Sequence, residues 1–175
     1  MSDCLISVIV PMYNSAAYIE DCIKSLEAQT FIDYEVIFID DGSTDNTVEL
    51  VYQNAQKLPN YTVIKQENKH AGVARNTGIK HANGKFITCL DSDDCFEPSA
   101  LEILYQTAME TGADVVRATG FEYDTDGART DISWSLNKQI VRNHQVFTWK
   151  DISQNIFLLS AGNPWGMLVR RDLID

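Results

Sequence analysis

Lys85-Phe86-Ile87-Thr88-Cys89-Leu90-Asp91-Ser92-Asp93-Asp94 is the stretch on which the fold turns. Its first six positions form a short apolar run that reads as a buried β-strand. Three carboxylates then stand where that strand ends. Carboxylates this close repel one another and resist full ionisation unless a cation sits among them. Oxygen-only donors of this kind suit a hard divalent ion, Mg²⁺ or Mn²⁺. An acidic loop that merely starts a helix has the same look, because Asp is common at turns and helix N-termini. The second acidic pair, Asp40-Asp41, also ends an apolar run, and it tips the balance toward a ligand site.

Strands and helices alternate on both sides of that stretch. Ile6–Val10 is a continuous apolar strand that stops at Pro11-Met12-Tyr13-Asn14, and Ser15 can cap a helix with the stripe Ile19, Cys22, Ile23 and Leu26. Tyr34–Ile39 is a second strand. Ser43 or Thr44 then caps a helix bearing Val48, Val51, Ala55 and Leu58 on one face, closed by Pro59. Thr62–Gln66 is a third strand. The segment Asn68–Gly78 runs into a helix that stops near Gly84, ahead of the strand Lys85–Leu90. Pro98-Ser99 opens a helix through Leu101, Leu104 and Ala108 that Gly112 ends, and Asp114–Thr119 is a fifth strand. Residues 122–147 are polar and weakly periodic, so they read as an irregular excursion. Thr148 begins another helix through Ile152, Ile156 and Leu159, and Trp165–Arg170 forms a last strand. This order implies an α/β fold, a mostly parallel central sheet flanked by helices on both faces.

Composition narrows the function classes. The 175 residues suffice for one domain with a real core, and 45% hydrophobic with 22% charged content is ordinary for a soluble globular chain. A net charge of −11, without a local basic stripe, argues against a nucleic acid partner. Cys4, Cys22, Cys89 and Cys95 show no zinc spacing, and buried free thiols point to a reduced, cytoplasmic setting. The N-terminal apolar run lacks a basic flank and is broken at Pro11, so it reads as a strand and not a signal peptide. No stretch approaches the ~20 apolar residues of a transmembrane segment, which leaves peripheral membrane contact open.

In an open parallel sheet, ligands bind in the crevice beyond the carboxyl ends of the strands. Pro11–Asn14, Asp40–Ser43 and Asp91–Asp94 all fall there, and the Lys69–Asn76 segment can fold over the same edge. A nucleoside diphosphate suits this set. A carboxylate can accept from a uracil imide or a ribose hydroxyl, a metal on Asp93 can neutralise a pyrophosphate, and Arg75 offers a planar fork for phosphate oxygens. Gly72 allows close backbone approach. Taken singly each residue is weak: Tyr13 reads as a packed aromatic, Arg75 as a solvated helix residue and His70 as an exposed loop residue. No Gly-x-Gly-x-x-Gly or Walker loop is present.

Four segments in order resemble a family 2 glycosyltransferase of the GT-A, Rossmann-like fold. They are Ser7–Asn14 (SVIVPMYN), Asp40–Asp45 (DDGSTD), Ala71–Gly78 (AGVARNTG) and Leu90–Asp94 (LDSDD). Asn163–Arg171 is similar to a later family segment, with Gly166 where a lysine is common. The likeness is good over about residues 5–120 and looser beyond. It implies one domain over residues 1–175, cut short at its C-terminus, with a nucleotide-sugar-binding half in 1–120 and the start of an acceptor half in 121–175. It further implies that Pro11, Tyr13 and Asn14 line the nucleotide pocket and that Asp41 reads the base with support from Asp40. Arg75, with Gly72 nearby, approaches the diphosphate. Asp91 and Ser92 contact the ribose or sugar side, Asp93 ligates Mn²⁺ or Mg²⁺, and Asp94 supports it.

The expected reaction is transfer with inversion from a nucleotide-sugar donor, a UDP-sugar, to a saccharide or lipid-linked acceptor, in synthesis of a polysaccharide or cell-surface glycan. The family's base is an Asp in an acidic element after the segment resembling 163–171. No such element stands before Asp175, so the base is expected beyond Asp175 and none is assigned within this chain. A catalytically incomplete nucleotide-sugar-binding module is therefore the alternative. A receiver-type signalling domain lacks support, because Pro11–Asn14 stands where it needs an acidic pair. So does a nucleotidyltransferase, which needs a Gly-rich, Arg-containing loop after the first strand.

Overall fold

The structure, a computed structural model, describes residues 4–124, 126–131, 145–148, 151 and 166–174. Its strands are β1 (Ile6–Met12), β2 (Tyr34–Asp40), β3 (Tyr61–Lys65), β4 (Phe86–Cys89), β5 (Val115–Arg117), β6 (Phe121–Tyr123), β7 (Arg129–Asp131) and β8 (Met167–Arg170). Its α-helices are α1 (Ile19–Glu27), α2 (Thr47–Asn54), α3 (His70–His81) and α4 (Ala100–Thr111). Six strands form one sheet in the order β3-β2-β1-β4-β8-β5. The pairs β3-β2, β2-β1 and β1-β4 are parallel, whereas β8 runs antiparallel to both of its neighbours.

All of β1, β2 and β4 is buried, as continuous apolar runs require. The two faces have separate cores. Ile6, Val8, Val10 and Met12 of β1 meet Val36 and Phe38 of β2 under the stripes of α1, α2 and α4. Ile9, Ile37, Ile39 and Ile87 face α3. The expected stripe Ile19, Cys22, Ile23 and Leu26 is buried, and so are Val48, Val51, Ala55 and Leu58. Gly112 ends α4 in the left-handed region at φ 64°, as expected.

β1 runs two residues further than expected, through Pro11 and Met12, although proline lacks the N–H that an interior strand needs. The ladder with β4 stops where Leu90 N donates to Ile9 O, and by strand alternation Pro11 faces the side that β4 has left. On the other side Asp41 N still donates to Met12 O. The proline therefore forfeits no ladder bond.

The expected helix caps are corrected. Ser15, Ser43 and Thr44 cap no helix: α1 begins at Ile19 and α2 at Thr47, neither with a side-chain cap. These side chains bind between loops, as described below. Residues 122–147 are also not wholly irregular, because β6 and β7 pair as a hairpin. Asp124 closes it by accepting from Asp126 N and Ala128 N through Oδ1. His70 is the first residue of α3, at φ 68°, and not a loop residue. The expected helix positions Ile152, Ile156 and Leu159 lie outside the described residues; ahead of them Thr148 N and Oγ1 both donate to Asp151 Oδ2. Asp175, past which the catalytic base is expected, lies outside the described residues as well.

Helix α3 buries only Ala74 and Gly78, one turn apart, so it lies close on the sheet. A Cβ on Gly78 would stand 2.4 Å from Cγ2 of the buried Ile9. Gly78→Ala should gain about 1 kcal/mol of helix propensity and lose more to overpacking, which costs about 1–3 kcal/mol. Urea denaturation should show a lower midpoint with unchanged slope. A variant as stable as the parent would mean that α3 does not press on β1 at this point.

Candidate functional site

The chain passes from β1 outward through β2 to β3, then returns to place β4 on the other flank of β1. That reversal is the switch point of the sheet, where the loops leaving β1 and β4 diverge and open a crevice. A cleft of about 300 Å³ occupies it. Pro11, Tyr13 and Asn14 line it from β1, Asp41 from β2, Arg75 from α3, and Asp91, Ser92 and Asp93 from β4. Of the site residues expected from the sequence, Asp40, Gly72 and Asp94 do not line it. Asp40 is buried and accepts from Ser43 N through Oδ1, holding the turn behind Asp41. Gly72 lies in the first turn of α3, with open space where a Cβ would stand.

Side chains of the loops tie them to one another. Asn14, at φ 51°, donates its backbone N–H to Ser43 Oγ and accepts from Thr44 N at 2.8 Å through Oδ1. Asparagine tolerates this left-handed backbone better than most residues. Ser15 N donates to Thr47 Oγ1, and the Ser15 hydroxyl meets that of Ser92 at 2.7 Å in a buried contact. Asp45 accepts from Ala16 N through one oxygen and from Thr47 N and Oγ1 through the other. Partial desolvation raises its carboxyl pKa, but these bonds outweigh it and hold the group below its usual value.

Asp41 is only 3% exposed, and its Oδ1 accepts from Gln66 Nε2 at 2.7 Å and Lys69 N at 2.9 Å. Its other oxygen accepts no hydrogen bond among the described residues. Arg75 is not solvated: its Nη2 pairs with Asp91 Oδ1, and its Nε is buried without a partner. An unsatisfied buried donor beside a cleft calls for an acceptor. The first turn of α3 adds backbone N–H groups and the positive end of the helix at the same place, with Ala71 and Ala74 on the wall. Asp94 follows Asp93 outside the cleft lining, its carboxyl pushed up to about 6 by desolvation and by the charges of Asp93 and Asp91.

Tyr13 is 51% exposed and is not a packed aromatic. Tyr18, at 57% exposure, also lines the cleft, and the sequence reading misses it. An aromatic one residue ahead of the helix stripe is the signal that marks it. Met12 and Ser15 escape that reading too, as a strand end and a supposed cap. Gln66, which touches Asp41, carries no sequence signal of its own.

Sheet order and crevice define a Rossmann-like α/β protein with its ligand cleft at the switch point. The glycosyl transferase family 2 model matches residues 7–167, and the chain belongs to that family. The glycosyltransferase GlyG of Streptococcus pneumoniae is 36% identical over 98% of this chain and 58% of its own length. The chondroitin synthase of Escherichia coli is 41% identical over 70% of this chain and 18% of that protein. Crystallised S. aureus TarS 1–349 in complex with UDP-GlcNAc superposes with a TM-score of 0.76, at 28% identity, over 97% of this chain and 46% of that one. A mannosyltransferase from Pyrobaculum calidifontis, in complex with GDP-Man and Mn²⁺, superposes with a TM-score of 0.60, at 27% identity, over 65% of this chain and 34% of that one. The fold is that of the GT-A glycosyltransferases, and the chain spans about half the length of the curated relatives it matches. Among the described residues no helix is long and apolar enough to cross a membrane.

The clamp at Asn14 should be measurable. Asn14→Ala loses the bonds from Thr44 and puts a less tolerant residue in the left-handed region. The expected loss is about 1–2 kcal/mol in thermal unfolding. An unchanged melting temperature would mean that the loops do not depend on this side chain.

Proposed function

We propose that this chain is the donor-binding part of a glycosyltransferase that takes a UDP-sugar and passes the sugar, with inversion, to a saccharide or lipid-linked acceptor. The observation that carries the reading is the convergence of Asp41, Arg75 and Asp93 on one cleft at the switch point. Asp41 presents a free carboxylate oxygen at the depth where a base N–H would be read. Tyr13 supplies an aromatic face for that base, with Pro11 and Asn14 beside it. Arg75 and the first turn of α3 offer cationic and backbone donors to the diphosphate. Asp91 holds Arg75 in place and, with Ser92, faces the ribose or sugar side. The TarS complex with UDP-GlcNAc supports a uridine donor by likeness.

A divalent ion fits the residues present. Asp93 is exposed on the cleft and accepts no hydrogen bond among the described residues. No three side chains of ligand type converge among the described residues. Mg²⁺ sites of this kind need only one or two carboxylates, because substrate phosphates and water fill the remaining positions, and Mn²⁺ accepts the same donors. Bound there, Mn²⁺ or Mg²⁺ would supply charge neutralisation for the leaving diphosphate. The complex of the mannosyltransferase with Mn²⁺ supports this by likeness.

We assign residues 1–120 to the donor half and the start of the acceptor half to 121–175, within one domain. The cleft carboxylates all serve the donor in this reading, so none of them is assigned as the base that deprotonates the acceptor. The setting we propose is cytoplasmic, peripheral at the inner face of the membrane, in glycan synthesis.

Calorimetry tests the donor site. UDP should bind in the presence of Mn²⁺, and a chelator should weaken binding at least tenfold, on the scale of one charge-assisted contact. Asp93→Ala should lose the metal dependence, whereas Arg75→Leu should weaken UDP and leave uridine binding unchanged. Metal-independent binding, with Asp93→Ala equal to the parent, would sink the metal assignment.

A further inference from the structure

We infer that Gln66 and Thr77 form a relay that fixes the orientation of the Asp41 carboxylate and so sets which bases the cleft admits. The inference rests on the reading of Asp41 as the base-contacting group and adds the residues that give it selectivity. Gln66 directly follows β3, and its backbone N–H donates to Asp40 O at 2.9 Å, which anchors it to the end of β2. Its side chain bridges two elements. Nε2 donates to Asp41 Oδ1 at 2.7 Å, and Oε1 accepts from Thr77 Oγ1, also at 2.7 Å.

The direction of this chain of bonds follows from the chemistry. An ionised carboxylate only accepts, so the amide NH₂ of Gln66 must face Asp41 and its carbonyl must face Thr77. The Thr77 hydroxyl is then the donor that holds the amide in this orientation. A reversed amide would set carbonyl against carboxylate. Lys69 N supplies the second donor to the same oxygen. With Oδ1 doubly occupied and the carboxylate unable to turn, Oδ2 offers the cleft an acceptor in one direction. Uracil presents an N–H at its imide position and is accepted. Cytosine presents a bare ring nitrogen there and is repelled.

Thr77 stands on α3, two residues beyond Arg75, so the helix that reaches the diphosphate also orients the base-reading carboxylate. Gln66 and Thr77 touch no ligand in this scheme, and they are positioning residues.

Calorimetry on the full chain with Mn²⁺ compares UDP, CDP and pyrophosphate. The parent should prefer UDP to CDP. In Gln66→Leu that preference should shrink about tenfold, the scale of one hydrogen bond to a charged group, because a freed carboxylate can turn to accept the cytosine amino group. Thr77→Val should shrink it about threefold, the smaller loss expected for an outer link, and Thr77→Ser, which keeps the hydroxyl, should restore it. Pyrophosphate affinity should stay level throughout, whereas a merely structural defect would weaken all three ligands together. A parent with no preference for UDP overturns the base reading and the relay with it. A parent that prefers UDP, with the preference intact in Gln66→Leu and Thr77→Val, overturns the relay alone.

Discussion

The hydrogen-bond ladder of β1 ends on one flank before it ends on the other, and the remaining geometry of the cleft depends on that offset. On the β4 side the last bond is made at Ile9, and on the β2 side the chain stays paired to Met12. A strand held on both flanks to its tip would carry its loop straight out between two neighbours. Held on one flank alone, it lets the β4 loop swing away, and the space between becomes the cleft. Pro11 enforces the offset chemically, since it has no N–H with which to extend the lost ladder.

The polar groups around the cleft are then ordered by one another rather than by regular structure. Asn14 clamps the β1 loop to the β2 loop, Ser15 joins it to Ser92 behind β4, and Asp45 caps the far side. The Ser15–Ser92 bond satisfies hydroxyl groups that are buried beside the core, whereas the Asn14–Thr44 bond lies at the exposed rim. Among the described residues, the groups on this rim without a hydrogen-bond partner include one oxygen of Asp41, the Nε of Arg75 and the carboxylate of Asp93. Such preorganisation matters because an unpaired polar group in a fixed place binds its partner without first ordering itself.

The parallel half of the sheet was legible because fully buried strands have no need of polar alternation and announce themselves as apolar runs. The helix stripes at Ile19–Leu26 and Leu101–Ala108 were legible for the matching reason of period. Pro11, Tyr13, Asn14, Asp41 and Asp91–Asp93 could be placed at the cleft as soon as the strand ends were known, whereas Tyr18, one residue ahead of a helix stripe, could not. Ser15, Ser43 and Thr44 could not, because a hydroxyl near a helix start serves a cap or a neighbouring loop equally well, and only the spacing of the loops decides. Gln66 was invisible for the same reason: its partners Asp41 and Thr77 are distant in sequence and meet only in the fold. The place of β8, antiparallel between β4 and β5, rests on pairings between residues far apart in the chain that no local pattern records.

That insertion bears on how the polypeptide assembles during synthesis. β3, β2, β1 and β4 are joined by successive short crossovers and can close on one another as soon as residue 90 has emerged. β5 cannot join them, for its sole partner in the sheet among the described residues is β8, and β8 arrives about 50 residues later. Until then β5 lacks a sheet partner, although α4 can already pack its stripe on the core, and the backbone of β4 stays unpaired on that side. When β8 docks, Arg170 N reaches Asp114 O, Arg171 N reaches Lys85 O, and the Arg171 guanidinium donates to Ala82 O, sealing both strands at once. The ribosome therefore extrudes the four-stranded core with its cleft well before it extrudes the strand that covers its edge, and that interval is when the nascent protein is open to wrong pairing along that edge.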